Sequence, residues 1–159
     1  MQLRNLAARA IDALAIVTFT GMFLCVFVQV ILRYGFDRPL VWSDELARYL
    51  FVWCAFLGWM IAARRRSHLV VNLFEGHVGP RGGALFALVG AAATIAFAAI
   101  LLYFGLQIAW RNVDIDTVAL FFTFGAVYAV VPVAALAVGL YAGADAVAAL
   151  QTLTARRAQ

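Results

Sequence analysis

Four long apolar runs dominate the sequence and restrict what it can fold into. They cover approximately residues 11–33, 45–63, 82–110 and 118–144, and the last two contain no charged residue. A bilayer core about 30 Å thick needs roughly 20 helical residues to cross it. Within lipid only helices and closed barrels satisfy every backbone polar group, and these runs lack the alternation of barrel strands. The sequence therefore predicts a single-domain, all-α integral membrane protein with four transmembrane helices.

Composition supports the same class. The chain is 66% hydrophobic and 13% charged, whereas a soluble domain is roughly 45–50% apolar and about 25% charged. Its 12 basic residues are all arginine and lie mostly at the ends of apolar runs, where basic residues set topology and contact lipid headgroups. Because no soluble module presents a basic face, we expect membrane lipids as partners and no nucleic acid.

Arginine placement favours an orientation with both termini in the cytoplasm (N-in, C-in), because cytoplasmic loops carry an excess of basic residues. The first run is expected to remain as a span, since its 20 uncharged residues from 13 to 32 exceed the 7–15 typical of a cleaved signal. The predicted cytoplasmic group contains Arg4, Arg9, Arg64, Arg65, Arg66, Arg81, Arg156 and Arg157, and the predicted outer group contains Arg33, Arg38, Arg48 and Arg111. The basic cluster at 64–66 and the nearby His68 are expected to anchor topology and to contact lipid headgroups.

The start of the second helix carries the most unusual side chains. Pro39 stops any continuation of the first helix, and Ser43 is the predicted N-cap of the second. Asp44 and Glu45 would then lie in the first turn, where acids complement the helix dipole. Arg48 follows them at spacings of four and three residues, so both acids are expected to reach it along one helical face.

Two interpretations of these charges remain open. They could be interfacial charges that extend to water and fix topology, or a charged network that orients the outer loop and binds a partner. An arginine within a helix beside two acids is costly for topology alone, which favours partner binding. The predicted interface or structural network comprises Arg33, Trp42, Asp44, Glu45, Arg48, Trp53 and Gly58.

Side chains capable of chemistry are scarce at mid-membrane depth. Asp12 lies at the cytoplasmic end of the first helix, and Gln29 is the only comparable polar group further in. His68 and His77 share one loop, whereas haem ligation in a four-helix anchor needs facing histidines. We therefore expect no catalytic, cofactor or metal site and no substrate pathway within this chain. The alternatives are a membrane anchor for a redox enzyme, which would hold haem or quinone, and a self-contained four-helix exporter.

Small residues recur at four-residue spacing in the last two predicted helices, where they would let helix backbones approach closely. Pro132 is expected to kink the fourth helix. The small residues concerned are Gly90, Thr94 and Ala98 in the third helix, and Ala135, Gly139 and Gly143 in the fourth.

The segment 33–73 resembles the core motif of the small membrane subunit of tripartite ATP-independent periplasmic (TRAP) transporters, the DctQ type. That motif joins an Arg-Tyr pair, a tryptophan shortly before a helix-opening glutamate, a following arginine, aromatic residues, a glycine and a basic stretch leading to histidine. The matching positions are Arg33, Tyr34, Trp42, Glu45, Arg48, Trp53, Gly58, Arg64 and His68. The segment 116–136, with Pro132, is similar to the family's fourth helix, whereas Asn72 departs from an aspartate common there.

This resemblance implies a non-catalytic subunit of a multi-pass inner-membrane importer. In the family, a large permease subunit carries the substrate and sodium sites, and a periplasmic substrate-binding protein delivers an organic acid such as a dicarboxylate or sugar acid. An ion gradient drives uptake in place of ATP. The small subunit would scaffold the large one and help form the periplasmic docking surface, with no cofactor of its own.

Overall fold

The computed structural model describes residues 2–65 and 80–155, with side chains over 6–65 and 82–154. The helices within them are α1 (Gln2–Gly35), α2 (Val41–Arg64), α3 (Pro80–Arg111), α4 (Phe124–Tyr128) and α5 (Val130–Ala155). Four segments, α1, α2, α3 and α4 joined to α5, are long and apolar enough to cross a membrane. In these two ranges the only strand-like pairing is an isolated bridge between Asp116 and Thr123. The predicted all-α membrane class with four transmembrane helices is confirmed.

The second helix begins one turn earlier than the sequence indicates, and the predicted N-cap is wrong. Leu40 has the extended backbone of an N-cap residue, and α2 begins at Val41. Ser43 lies within the first turn and is fully buried. Its hydroxyl donates to the Leu40 carbonyl oxygen at 2.7 Å, so it satisfies a backbone acceptor where an N-cap side chain would accept from a backbone N–H.

The fourth transmembrane segment begins later than the apolar run predicts. Residues 118–123 precede the helix, and α4 begins only at Phe124. A turn at Ala129 separates α4 from α5, three residues before Pro132. Because proline lacks a backbone N–H, it is tolerated within the first turn of α5, where that donor has no intrahelical acceptor.

The bundle consists of two antiparallel helix pairs. The first pair is α1 with α2 and the second is α3 with α5, and contacts between α2 and α5 join them. The core at that seam contains Leu57, Met60 and Ala63 from α2 and Ala134 and Val138 from α5. The residues shared by α2 and α5 therefore form the core that joins the two pairs.

Small residues do permit the close approach of α3 and α5. A β-carbon added at Gly139 would lie 3.6 Å from that of Ala98, and both Ala98 and Ala135 are buried. Gly90 and Gly143 have open space around the equivalent position. Only part of the four-residue spacing noted in the sequence is therefore used in contacts between these helices.

Candidate functional site

One end of the bundle, which holds the connections 36–40 and 112–123, gathers most of the polar contacts between helices. We call the cluster there the polar junction and define it by Gln29, Asp44, Glu45, Tyr49 and the backbone N–H groups of Val118 and Ala119. It connects α1, the first turns of α2 and the segment preceding α4.

Glu45 lies at the centre of the polar junction. Its Oε1 accepts hydrogen bonds from the Tyr49 hydroxyl at 2.5 Å and from the Val118 N–H at 3.1 Å. Its Oε2 accepts from the Ala119 N–H at 2.8 Å. Hydrogen bonds to an ionised carboxylate are roughly twice as strong as those between neutral groups. One side chain of α2 therefore satisfies two consecutive backbone donors that follow α3.

Aromatic packing strengthens the same connection. The Tyr49 ring is buried and makes edge contacts with Phe122 and Phe124, each at 5.9 Å between ring centroids. Such edge-to-face pairs contribute about 0.5–1.5 kcal/mol beyond their buried area. Tyr49 thus holds the segment before α4 through its ring while its hydroxyl orients Glu45.

The segment 116–123 has its own turn, built around Thr117. The buried hydroxyl of Thr117 donates towards the carbonyl oxygens of Leu120 and Phe122, at 2.9 and 2.7 Å. The tip of this turn points Val118 and Phe121 outward, with Phe121 completely exposed. The segment is therefore ordered by internal hydrogen bonds and presents apolar side chains on the surface.

Gln29 supplies the contribution of α1 to the polar junction. Its side chain is buried, and its Nε2 donates to Asp44 Oδ1 at 2.5 Å. One turn earlier, the Cys25 thiol lies 3.5 Å from the Ser43 carbonyl oxygen. A polar side chain in lipid is costly unless it is hydrogen-bonded, so this amide fixes α1 against the start of α2.

The predicted ion pairs of Arg48 with Asp44 and Glu45 are wrong. Among the described residues, the one ion pair within 4.0 Å joins Arg64 and Asp12. Asp44 is engaged by Gln29 and Glu45 by three other donors, while the Arg48 side chain is exposed. The reason is that Glu45 reaches across to the segment before α4, where it accepts from two backbone N–H groups and from the Tyr49 hydroxyl.

At the opposite end, Arg64 fastens α2 to α1. Its guanidinium donates to Asp12 Oδ1 at 2.5 Å and to the Ala8 carbonyl oxygen at 2.8 Å. The two charged side chains are 18% and 36% exposed, so the pair lies at the edge of the bundle. Polar contacts therefore hold the α1–α2 pair together at both ends.

Comparison with known proteins identifies the family. The model of the DctQ component of tripartite ATP-independent periplasmic transporters matches residues 22–152. The chain belongs to the DctQ family. With its four candidate spans, it is a multi-pass inner-membrane protein.

Individual relatives agree with this family. A TRAP transporter small permease protein of Haemophilus influenzae is 36% identical over 77 residues, which is 48% of either chain. The C4-dicarboxylate TRAP transporter small permease protein DctQ of Vibrio cholerae is 32% identical over 94 residues, covering 58% of this chain and 40% of that protein. The sialic acid TRAP transporter permease protein SiaT of H. influenzae is 37% identical over 54 residues, or 34% of this chain and 9% of SiaT. The chain thus matches less than half the length of each of these relatives.

Only two of the residues predicted for the DctQ interface or network enter the polar junction. Asp44 and Glu45 do so, while Trp53 packs against the core seam of α2 and α5. The remaining four lie on the surface, namely Arg33, Trp42, Arg48 and Gly58. The Arg33 guanidinium carbon lies 5.8 Å from the Tyr34 ring centroid.

Of the four predicted anchor residues of this DctQ chain, the structure describes two. Arg64 is bound to Asp12, so it acts in helix packing as well as in charge placement. Arg65 follows α2 and is exposed. Arg66 and His68 lie outside the described residues, as does His77.

Four junction contributors were missed as partners in the sequence of this DctQ chain, although two had a signal. Gln29 is a lone amide within an apolar run, and Tyr49 lies four residues after Glu45, a spacing that brings helical side chains together. The Val118 and Ala119 N–H groups carry no such signal, because backbone donors more than 70 residues away have no sequence signature.

Proposed function

We propose that the chain is the non-catalytic small permease subunit of a binding-protein-dependent TRAP importer driven by an ion gradient. The observation that carries this proposal is that the buried polar side chains bond to other atoms of the same chain. In the described part of the chain, every buried side-chain nitrogen or oxygen has a hydrogen-bond partner, and the polar junction is occupied by this chain's own atoms. A substrate pathway needs polar groups that remain available at mid-membrane depth, so the bundle suits a supporting role.

The principal partner in this proposal is the large permease subunit. The stretch of SiaT that is similar to this chain is only 9% of that permease, so a DctQ-like sequence forms a small part of a much longer transport polypeptide. That arrangement is expected if the small and large components work side by side. The second partner is a periplasmic substrate-binding protein, and membrane lipids cover the remaining apolar surface.

The scaffolding role rests on polar contacts between α1 and α2 at both ends of the pair. Gln29 and Asp44 connect them at one end, and Arg64 and Asp12 connect them at the other. A bundle held at both ends gives a moving permease a rigid surface to work against. With both termini in the cytoplasm, the polar junction and the exposed tip at Phe121 would face the periplasm, where the substrate-binding protein docks.

The proposed substrate is an organic acid. Named relatives include small permease proteins of C4-dicarboxylate and sialic acid TRAP transporters, so a dicarboxylate or a sugar acid is the class to test first. Cells that lack this chain should lose uptake of one labelled acid from such a panel, and a plasmid copy should restore it. Unchanged uptake of every organic acid in the panel would contradict the proposal.

The docking role of the charged turn has a separate test. Replacing Glu45 by glutamine and Arg48 by alanine in one variant should lower either recovery of the permease with this chain or acid uptake. The control replaces Arg111 and Asp114, two exposed charges at the same end of the bundle, by alanine. Wild-type recovery and uptake in the Glu45 and Arg48 variant would show that these charges have no part in docking.

A further inference from the structure

One face of α2 is open along its length, and its residues form a single stripe. We call it the open face of α2 and define it by Asp44, Arg48, Phe51, Ala55 and Gly58, all of which are exposed. Spacings of four, three, four and three residues place them on one side of a helix. The buried residues of α2, on the other side, are Ser43, Tyr49, Leu57, Met60 and Ala63.

The open face of α2 differs from the surfaces that suit lipid. Within residues 13–32 of α1 and 82–110 of α3 no exposed residue is charged, and many are large and apolar, for example Phe19, Phe23 and Phe27 on α1 and Ile100 and Phe104 on α3. On α2 the stripe combines two charges with one phenylalanine, an alanine and a glycine. Lipid offers no counter-charge for Arg48, so another protein surface is the better complement.

Gly58 is not explained by packing within the chain. A β-carbon added at this position would meet nothing within 4 Å, in contrast to Gly105, where it would lie 2.9 Å from the Val131 side chain. Glycine within a helix is costly by about 1 kcal/mol relative to alanine. Close approach of another helix backbone is what a glycine at a membrane interface allows.

Arg48 supplies the charge that identifies the occupant. It lies two turns into α2, about 10 Å along the axis from Val41. Its side chain is exposed and makes no ion pair within 4.0 Å among the described residues, since Asp44 and Glu45 are engaged by other donors. A carboxylate from an adjoining helix would supply the counter-charge at this depth.

We propose that a transmembrane helix of the large permease packs on the open face of α2, with a carboxylate of that helix paired to Arg48 and its backbone closest at Gly58. The inference rests on the proposed function, because it takes the permease as the partner. It goes further by naming the face, the complementary charge and the point of nearest approach.

The test uses matched glycine variants of the tagged full-length chain, extracted from native membranes in mild detergent. Gly58→Leu should lower the ratio of co-purified permease to chain by about tenfold, the loss of roughly 1.4 kcal/mol of association. Gly90→Leu is the control, because a β-carbon at Gly90 also meets nothing within 4 Å. It should keep the wild-type ratio.

The melting temperature of the purified chain shows whether Gly58→Leu alters the fold. If it does, a variant of Arg48 tests the same inference. Arg48→Ala should also lower the ratio of permease to chain, whereas Arg33→Ala, at another exposed arginine, should not. Wild-type ratios in Gly58→Leu and Arg48→Ala would overturn the inference while the proposed function stands. Failure of the wild-type chain to recover any permease would instead overturn the proposed function.

A crosslink identifies the occupant directly. In a chain whose Cys25 and Cys54 are replaced by alanine, a bifunctional reagent at Ala55→Cys should join the chain to the permease. Joining to a second copy of this chain as the main product would overturn the inference, because the open face would then be a homodimer contact.

Discussion

At the residue scale, Glu45 shows what a sequence can and cannot reveal. Its position in a charged turn marks it as unusual, and the polar junction does depend on it. Its partners were predicted wrongly, since i,i+3 and i,i+4 spacing in a helix suits Arg48 and Tyr49 equally well. The two backbone donors at Val118 and Ala119 decide between them, and they become neighbours only once the helices have packed.

Replacing Glu45 by alanine should destabilise the chain markedly. The Tyr49 hydroxyl and the backbone N–H groups of Val118 and Ala119 would all lose their acceptor. Glu45→Gln should be milder, because its carbonyl oxygen can still accept. The measurement is the melting temperature of the purified chain in detergent, with Asp114→Ala as the exposed control. A Glu45→Ala variant that melts with the control would contradict the assigned role.

At the element scale, the existence of the helices follows from the sequence more reliably than their ends do. A run of about 20 uncharged apolar residues has almost no alternative in lipid, so all four spans were identified. The start of the fourth depended on residues 118–123, which are apolar yet held outside the helix by Glu45 and Thr117. Contacts formed only in the folded chain therefore set the start of this helix, and the apolar run of the sequence did not.

Gly125 should be intolerant of even a methyl group. A β-carbon there would lie 2.7 Å from Val113 Cα and 3.0 Å from the Ala109 carbonyl oxygen, and these backbone atoms cannot rotate away. Overpacking of this kind typically costs about 1–3 kcal/mol. Gly125→Ala should therefore lower the melting temperature, whereas Gly143→Ala, with open space around it, should not. Equal melting temperatures for the two variants would show that the turn after α3 can shift.

The Arg64 and Asp12 pair should contribute only modestly to the packing of α2 on α1. Both side chains are partly exposed, and pairs near the surface are typically worth about 0–1 kcal/mol. Asp12→Asn and Arg64→Gln should each lower the melting temperature slightly, and the loss should shrink in high salt. Arg65→Gln serves as the control. A larger loss in high salt would contradict an electrostatic contribution.

At the scale of the whole molecule, the fold class was predictable and the placement of Arg48 was not. Composition and apolar run length decide whether a chain enters the membrane, and both can be read without coordinates. Whether Arg48 pairs within the chain or faces outward depends on how four helices pack, and the structure leaves its side chain exposed.

The orientation with both termini in the cytoplasm stays a prediction with a direct test. A fluorescent protein fused after the last residue should fluoresce, whereas alkaline phosphatase fused there should be inactive. When the chain is instead truncated within the connection 112–117 and the reporters are fused there, alkaline phosphatase should be active and the fluorescent protein dark. The reason is that this connection is predicted to lie in the periplasm. The opposite pattern at both sites would place the polar junction in the cytoplasm.

The central claim is that this chain works as one component of a larger permease. The most direct measurement is affinity purification of the tagged chain from native membranes in mild detergent, with identification and quantification of every co-purifying protein. We predict one large multi-pass permease in equal amount. Recovery of a soluble redox enzyme, or of this chain alone as a stable oligomer with transport activity, would contradict the claim.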